Sequence, residues 1–363
     1  MNDPKKVIPI RLIGGFLGSG KTTLITELIN HYGKQGLKVG VITNDQAEDL
    51  VDSHHLKNTT TELREVAGSC FCCNFKALIK SSEELLASGV DLILAEPVGS
   101  CTDLTETVLK PLSELHGETF KVEPLTVLCD PFRLKAALGI GAFLFPEPVR
   151  YIYRTQLDEA SFLIINKMDQ LSEGELSELL SSLREEFPLK KCLGLSAREH
   201  QGLEELFTLW EKFGDSDRHL MKVDYNIYAE GEALLGWMNA SAEVHVKDNT
   251  NEVFDGFVND LHEEWASKDL EVAHLKVRLE NADGWLQSQS SRGQSVPELM
   301  GEGFQEKGKA KLIVNARVAA DPNALESSLI KKLNLSWPRA EVKRINAFSP
   351  AEPKPTHHSF LTN

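Results

Sequence analysis

The stretch GFLGSGKT, residues 15–22, fits the pattern G-x-x-x-x-G-K-[ST]. The apolar run VIPIRLIGG (7–15) before it is predicted to be a strand, and KTTLITELINHYGKQG (21–36) after it has helical spacing. Because glycines permit backbone conformations that side chains would block, successive N–H groups of such a turn can converge on phosphate oxygens. The stretch therefore predicts a P-loop that binds the phosphates of a nucleotide.

Side chains of this loop add to the phosphate chemistry. Lys21 would bring a positive charge to the β- and γ-phosphates, and the Thr22 hydroxyl would bind Mg²⁺. The candidate nucleotide contacts in the loop are Gly15, Gly18, Ser19, Gly20, Lys21, Thr22 and Thr23.

Short apolar segments alternate with helix-like segments up to about residue 215. Nearly continuous apolar strands that alternate with helices are typical of a parallel sheet covered on both faces. We therefore expect an α/β P-loop domain. The later predicted strands are 38–45, 90–99, 124–130 and 161–169, and the predicted helices include 74–88 and 172–187.

The pattern changes in the last third of the chain. Residues 281–308 are rich in Ser, Gln and Gly and are predicted to be a loop, and the Pro-rich tail is predicted to be extended. The order strand–helix–strand, then strand–helix, favours a small α+β domain with a split βαβ arrangement. The remaining predicted elements are strands 234–247, 272–280 and 309–318 and helices 251–267 and 323–335. We predict a P-loop domain over 1–218, an α+β domain over 219–350 and a tail over 351–363.

The bulk composition excludes several classes of protein. The chain has 363 residues, a net charge of -15 and 41% hydrophobic residues, so a broad basic face for nucleic acid is not expected. No segment approaches the roughly 20 apolar residues of a membrane span, and the N-terminus lacks the features of a signal peptide. We expect a cytoplasmic protein that binds neither nucleic acid nor membrane.

Two further motifs indicate which base the nucleotide carries. NKMD (166–169) ends a predicted strand, and the Asp169 carboxylate could accept hydrogen bonds from the N1–H and the exocyclic amine of guanine. Adenine offers neither donor there. LSARE supplies Ser196 and Ala197, whose backbone would contact the guanine O6. Together with Asn166 and Lys167, these residues predict GTP rather than ATP.

Two acidic residues at predicted strand ends are candidates for the Mg²⁺ side of the site. Glu96 ends the strand in LILAEPVG, where a carboxylate can hold a Mg²⁺-bound water or orient the attacking water. Asp45 ends the strand before NDQAED. Since Mg²⁺ keeps several waters, one or two protein oxygens suffice. We therefore assign Lys21, Glu96 and Asp45 to catalysis, and Thr22 and Asp45 to Mg²⁺.

The stretch GSCFCC (68–73) holds three of the six cysteines. Clustered cysteines in a reducing compartment are more often metal ligands or catalytic groups than disulfides. Three alternatives stay open from the residues alone: a metal site, a redox pair, or buried small side chains. The helix predicted over 74–88 and Lys76 would favour thiolates by lowering the pKa values of the cysteines.

The order of these motifs, with NDQAED and CFCC between the P-loop and EPVG, resembles the CobW-type family of metallochaperone GTPases, relatives of the hydrogenase and urease nickel-insertion GTPases. The resemblance covers about residues 7–210. It implies GTP hydrolysis coupled to binding and delivery of Zn²⁺ or Co²⁺, with Cys70, Cys72 and Cys73 as ligands and Glu48 able to join them. Asp52 matches a further acidic position. Ser69 and Ala47 depart from the family pattern, and Cys101 repeats the string GSC.

Two hypotheses about function follow from this resemblance. In the first, the protein carries a metal ion to a client metalloprotein or corrinoid-related protein, and the nucleotide state changes the metal site. In the second, it is a GTPase switch or chaperone with a structural zinc. The oligomeric state is left open, a homodimer included. His54-His55 and His357-His358 are expected to be solvent-exposed bystanders.

Overall fold

A computed structural model of the chain describes seven stretches of residues and contains two β-sheets. The predicted domain boundary at 218 lies outside the described residues and stays a prediction. The described stretches are 7–45, 62–141, 145–213, 221–247, 249–290, 298–304 and 307–358.

The first sheet is parallel throughout, as the alternation of strands and helices predicts. Its order is β3-β2-β4-β1-β6-β7-β8, and β5 pairs with the start of β1. The strands are β1 (Ile8–Gly15), β2 (Val39–Asp45), β3 (Glu62–Ala67), β4 (Leu92–Glu96), β5 (Phe120–Val122), β6 (Thr126–Cys129), β7 (Phe162–Ile165) and β8 (Lys191–Gly194).

Both faces of this sheet are buried. Ile93 of β4 packs into one hydrophobic core, and the next residue, Leu94, packs into another, because successive side chains of a strand point to opposite faces. The covering helices are α1 (Lys21–Lys34), α2 (Phe75–Ala87), a π-helical turn (Thr105–Leu109) running into α3 (Lys110–His116), α4 (Pro131–Ala137), α5 (Glu147–Glu159), α6 (Glu173–Glu186) and α7 (Leu203–Lys212). In the described parts of the chain, no helix combines the length and apolarity needed to cross a bilayer.

The second sheet has the order β12-β11-β10-β13-β9-β14, and all of its neighbours are antiparallel. The units β9-α9-β10 and β13-α10-β14 interleave, which confirms the predicted split βαβ arrangement. The elements are α8 (Tyr225–Ala233), β9 (Gly236–Val246), α9 (Thr250–Ala266), β10 (Val272–Glu280), β11 (Trp285–Ser290), β12 (Glu298–Gly303), β13 (Gly308–Val318), α10 (Pro322–Ser336) and β14 (Glu341–Phe348).

The prediction of a loop over residues 281–308 is wrong, because β11 and β12 lie within it. Its Ser- and Gln-rich composition disfavours strands when it is considered alone. In the structure, Leu286 enters the core and pairs with Leu279 of β10. Cross-strand pairing and burial on one face therefore outweigh the composition of the segment.

The parallel sheet brings the carboxyl ends of its strands to one edge, where ligands bind in α/β proteins. Gly15, Glu96 and Asn166 end or follow β1, β4 and β7 at this edge. The backbone of Asp45 ends β2 beside them. The site predicted from separate motifs is thus assembled by the strand order.

Arg133 of α4 joins this edge to the second sheet. Its guanidinium donates to the carbonyl oxygen of Leu17 at 2.6 Å and to that of Ala273 at 2.8 Å. The Arg133 side chain is buried and lies 5.6 Å from the ring centre of Phe16. One cation therefore satisfies backbone acceptors of the P-loop and of the second sheet.

We expect Arg133→Ala to lower the free energy of unfolding by about 2–5 kcal/mol, because each buried acceptor left unpaired costs roughly 1–3 kcal/mol. Urea titration followed by fluorescence would measure the change. Arg150→Ala is the matched control, since the ion pair of Arg150 with Glu147 is exposed and its loss should cost under about 1 kcal/mol. Equal losses for the two variants would contradict this account.

Candidate functional site

The glycines of the P-loop have the conformation that a phosphate cradle requires. Gly15, Gly18 and Gly20 have φ values of 130°, 74° and 93°, in a region that side chains disfavour. A Cβ atom on Gly15 would collide with the carbonyl oxygen of Leu128, and one on Gly20 would collide with the Asn166 amide. Torsion therefore favours glycine at all three positions, and space also requires it at Gly15 and Gly20.

The candidate phosphate and Mg²⁺ side chains are buried beside this loop. The Lys21 ammonium group donates to the carbonyl oxygens of Gly15 at 2.9 Å and Phe16 at 3.4 Å. The Thr22 hydroxyl donates to the Glu96 carboxylate, at 3.0 and 3.2 Å from its two oxygens. Thr22 and Glu96 thus present oxygens to one point, which suits a small cation that prefers oxygen ligands.

Asn166 connects the P-loop to the loop that contains Ser196 and Ala197. Its side-chain amide donates to the Ser19 carbonyl oxygen at 2.8 Å, and its carbonyl oxygen accepts from the Ala197 N–H at 3.1 Å. The Ala197 N–H that was predicted to contact the base is therefore paired with Asn166 in this structure. Asn166 acts as a brace between two segments of the site.

Lys167 and Asp169, which follow Asn166 in the chain, pair with different partners. The Lys167 ammonium group pairs with the buried Asp130 carboxylate at 2.9 Å, and this charge lowers the pKa of Asp130 against the opposing effect of burial. The Asp169 carboxylate accepts from the Ser196 hydroxyl. Asp169 itself is exposed and lines a cavity. A carboxylate that hydrogen-bonds a nucleotide base has to be accessible in this way.

This cavity, of about 380 Å³, extends from the P-loop past Asp169 to the second sheet. Its wall there includes His274 and Lys276 of β10 and Gln287 and Gln289 of β11. Burial holds the pKa of His274 well below its usual value, so this ring is neutral near pH 7. Sequence analysis did not single out these residues, although polar side chains at alternate positions of VAHLKVRLE mark a face directed away from the hydrophobic core.

The cysteines of GSCFCC form a compact cluster. The Sγ atoms of Cys70, Cys72 and Cys73 lie within 4.8 Å of one another, the Cys70–Cys72 pair at 2.7 Å and the Cys70–Cys73 pair at 3.2 Å. A turn after Cys70 brings the sulfurs together, and the N–H groups of Cys73 and Asn74 both donate to the Cys70 carbonyl oxygen. Asn44 fixes the loop by accepting from the Phe71 N–H at 2.8 Å. The residues could therefore hold one thiophilic cation.

A fourth thiol, Cys101, lies beside this cluster. Its Sγ is 3.8 Å from that of Cys72, and both side chains are buried. Hydrogen bonding from Cys70 and Cys72 lowers the pKa of Cys101 to about 6, whereas the pKa of Cys72 is raised well above its usual value, first by its hydrogen bond with Cys101. The Cys101 thiolate is thus stabilised by hydrogen bonds from neighbouring thiols.

The expectation that α2 and Lys76 lower the pKa values of the cysteines is wrong for Cys72 and Cys73. Hydrogen bonding with Cys70, followed by burial, raises the pKa of Cys73 to about 11. Lys76 is exposed, whereas Cys72 is buried. The thiols therefore interact mainly with one another and not with that lysine.

The other residues considered near the site divide into two groups. Glu48, Asp52, His54 and His55 lie outside the described residues, as does the side chain of Asp45. The expectation of solvent exposure is wrong for His358, whose side chain is 4% exposed and lies 3.0 Å from the Asp103 carboxylate. The ring of His357 packs against Phe75 with a centroid distance of 4.8 Å.

The C-terminal tail passes directly over the cysteine loop. The Lys354 N–H donates to Cys73 Sγ at 3.1 Å, and the Thr356 N–H donates to the Cys72 carbonyl oxygen at 2.8 Å. The Thr356 hydroxyl donates to the Cys73 carbonyl oxygen at 3.1 Å. The extended conformation predicted for the tail leaves these backbone groups free to pair with the loop.

We expect a chain that ends at residue 350 to expose the Cys73 thiol. Since each lost hydrogen bond contributes about 1 kcal/mol, its reaction with a thiol reagent should accelerate by on the order of 5–10-fold. Mass spectrometry of labelled peptides would measure the rate. Cys192 on β8 is the internal control, and an unchanged Cys73 rate would show that the tail does not protect the loop.

Glu159 supports the segment that follows Cys101. Its buried carboxylate accepts from the Thr102 hydroxyl at 3.0 Å and the Thr105 N–H at 3.1 Å, and burial raises its pKa to about 8. A carboxyl group whose pKa is raised on folding contributes stability that is complete below pH 4.5 and is lost as the pH rises towards 8.

We therefore expect the unfolding free energy of the wild-type protein to fall between pH 5 and pH 8 more steeply than that of Glu159→Gln. Urea titrations at several pH values would measure both slopes. Glu175→Gln is the control, because hydrogen bonds from Ser172 lower the pKa of Glu175 to about 2 and it does not titrate in this range. Parallel curves for wild type and Glu159→Gln would refute the assignment.

Comparisons with known proteins agree with the geometry of the nucleotide site. The chain is 36% identical over 189 residues to a protein named zinc chaperone YjiA of Escherichia coli (50% of this chain, 56% of that one). It is 28% identical over 250 residues to the zinc-regulated GTPase metalloprotein activator 1 of Dictyostelium discoideum (55% and 52%). The chain thus spans only about half the length of these curated relatives.

Among solved structures, HypB from Helicobacter pylori in complex with nickel is similar at 17% identity, with a TM-score of 0.43 over 59% of this chain and 93% of that one. The family model of the CobW/HypB/UreG nucleotide-binding domain matches residues 9–192. Because this match covers half of the chain, the chain belongs to the CobW/HypB/UreG nucleotide-binding domain family.

Proposed function

We propose that this protein is a GTP-hydrolysing metallochaperone that binds a divalent ion of the Zn²⁺ or Co²⁺ type at Cys70, Cys72 and Cys73. The observation that carries the proposal is the common edge of the parallel sheet, where a P-loop and Glu96 lie next to a buried cluster of thiols. The names of the two relatives, a zinc chaperone and a zinc-regulated GTPase, support the same combination.

In this proposal, each nucleotide residue has a separate role. The glycine loop binds the phosphates through its N–H groups, and the Lys21 ammonium group leaves its carbonyl partners to neutralise phosphate charge. Asp169 reads guanine, with Asn166, Lys167, Ser196 and Ala197 shaping its pocket. Glu96 orients the water that attacks the γ-phosphate, and the products are GDP and phosphate.

Mg²⁺ fits the oxygens that meet beside the P-loop. Thr22 and Glu96 would hold it, directly or through waters, and Asp45 ends the adjacent strand. When bound, the ion would neutralise charge on the phosphates. The protein's own contribution is to hold the Thr22 hydroxyl and the Glu96 carboxylate together before the nucleotide arrives.

The thiol cluster suits a thiophilic ion better than Mg²⁺ or Ca²⁺, since thiolates prefer zinc and its neighbours over hard cations. The carried ion would be passed to a client metalloprotein or a corrinoid-related protein. The second domain, over residues 219–350, would recognise that client, while 1–218 hydrolyse GTP and 351–363 form the tail. We place the protein in the cytoplasm, where clustered thiols stay reduced.

The alternative is a GTPase switch with a structural zinc. The burial of Cys70, Cys72 and Cys101 favours it, because structural zinc sites are closed and exchangeable sites keep an open position. The two are separated by removing the metal with a chelator. A structural zinc would be needed for folding, whereas a carried ion leaves and returns with the fold intact.

The deciding experiment uses protein purified without oxygen. Zn²⁺ affinity would be measured by competition with a chromophoric chelator in the presence of GDP and of a non-hydrolysable GTP analogue, beside Cys72→Ala and the control Cys192→Ala. The proposal expects zinc binding that depends on nucleotide and is lost in Cys72→Ala alone. Equal Zn²⁺ affinities in both nucleotide states would contradict the coupling between metal binding and GTP binding.

For base recognition, we expect Asp169→Asn to weaken GTP binding by on the order of 100-fold, because a carboxylate that accepts two donors is replaced by an amide with one acceptor. The same change should improve binding of xanthosine triphosphate, whose C2 carbonyl oxygen can accept from the new amide. Competition with a fluorescent nucleotide would measure both.

The control for this change is Asp260→Asn on α9, a substitution of the same kind on the outer surface of the second domain. It should leave both affinities unchanged. If ATP competes as well as GTP with the wild-type protein, Asp169 does not read the base.

A further inference from the structure

The loop after β4 places a fourth sulfur beside the three of GSCFCC. Cys101 belongs to a second Gly-Ser-Cys string, and its Sγ lies 3.8 Å from Cys72 Sγ with both side chains buried. The two strings follow β3 and β4, which pair with β2 on its two sides. Two sulfurs that are 29 positions apart in the chain are thus brought within 3.8 Å of each other by the fold.

We propose that Cys101 is the fourth thiolate ligand of the metal site, and that the segment Glu96–Cys101 transmits the nucleotide state to it. The inference rests on the proposed function and deepens it, because it defines the ligand set and a physical link between the two sites.

Two of the distances between the sulfurs match a four-thiolate site, although Cys101 does not lie within 4.8 Å of all three other sulfurs. A tetrahedral ion with metal–sulfur bonds near 2.3 Å separates its ligands by about 3.8 Å. The Cys72–Cys73 and Cys72–Cys101 distances, 3.7 and 3.8 Å, already have this value. Cys70 lies closer, at 2.7 Å from Cys72 and 3.2 Å from Cys73, so its side chain must turn outward when the ion enters. The Cys101 side chain must at the same time move towards the other sulfurs, because it lies outside the group of three that are within 4.8 Å of one another.

Such a ligand set defines the class of ion. Four thiolates bind Zn²⁺ and similar soft or borderline cations and reject hard ones such as Mg²⁺. Each thiol that ligates loses its proton, so binding four thiolates releases protons and tightens as the pH rises. The Lys354 N–H, which donates to Cys73 Sγ, would stabilise the resulting negative charge on sulfur.

The same loop reaches the nucleotide site within five residues. Glu96 accepts from Thr22 at one end of the segment, and Cys101 contacts Cys72 at the other. Between them, Gly99 lies against Leu17 of the P-loop so closely that a Cβ atom would approach the Leu17 side chain to 2.7 Å. A shift of Glu96 or of the P-loop on nucleotide binding must therefore move this segment.

Gln156 of α5 links two residues of the segment, Gly99 and Cys101, so that they move together. Its amide donates to the carbonyl oxygens of Gly99 at 3.0 Å and of Cys101 at 2.9 Å. The backbone at Gly99 and Cys101 is thus held as one unit. This unit would withdraw or present the Cys101 sulfur as a whole, which converts a closed four-ligand site into an open three-ligand site.

The test compares wild type, Cys101→Ser and the control Cys192→Ser by Co²⁺ substitution under reducing, oxygen-free conditions. The intensity of the sulfur-to-cobalt charge-transfer band should fall in Cys101→Ser by about one quarter, from four thiolates to three, and should not change in Cys192→Ser. Zn²⁺ affinity of Cys101→Ser should fall about 100-fold, since even an outer-shell partner of a ligand contributes about 10–100-fold. Binding of a fluorescent GDP analogue shows that each variant is folded.

A second arm repeats the Zn²⁺ titrations with GDP and with a GTP analogue. The wild-type protein should show different affinities, and Cys101→Ser should show one affinity in both states. If Cys101→Ser keeps the wild-type cobalt spectrum and zinc affinity, Cys101 is not a ligand and the inference is overturned. If the Cys101→Ser spectrum changes but nucleotide never alters wild-type affinity, the fourth ligand stands, and both the Glu96–Cys101 link and the coupling in the proposed function fail.

Discussion

The central constraint of this molecule is the position of β4 between β1 and β2 in a parallel register. Leu12 lies opposite Ala95 on one side, and Thr43 lies opposite Glu96 on the other. All three strands therefore end at the same edge, and Glu96 emerges beside the P-loop and the end of β2. The chain after Glu96 has to turn along this edge, which brings Cys101 to the thiols that follow β3. The nucleotide site and the thiol cluster therefore lie close together, because both follow strands that end at this edge.

Burial requires the polar groups at this edge to be hydrogen-bonded. Lys21, Thr22, Glu96 and Asn166 are all nearly inaccessible, and charged or polar groups in such places must be paired. Their hydrogen bonds pair them with the loop itself, with one another and with the neighbouring segments. The site is thereby held in shape before it meets a ligand, which lowers the cost of ordering it on binding. The nucleotide must exchange some of these bonds, that of Lys21 with Gly15 above all.

The second sheet and the tail complete the two sites from a distance in sequence. Arg133 satisfies carbonyl groups of Leu17 and Ala273, so that β10 is joined to the P-loop. The polar face of β10 and β11 then forms a wall of the nucleotide cavity, while the opposite face packs against α9 and α10. The tail returns to the cysteine loop and pairs its N–H groups with Cys72 and Cys73. The nucleotide cavity and the cysteine loop are therefore both in contact with the C-terminal part of the chain.

Local patterns in the sequence predicted the class of fold, the P-loop, the guanine motif and the thiol cluster, because each of these depends on residues that are close together in the chain. Spacing within GFLGSGKT and NKMD, and the alternation of strands with helices, are local properties. Only the tertiary structure decided that Cys101 joins the cysteines, that His358 is buried against Asp103, and that 285–290 and 298–303 are strands. Each of these outcomes depends on a partner far away in the chain, whose position follows from strand order and packing. Composition and periodicity give no information about such distant partners. These three outcomes therefore could not be predicted from the sequence.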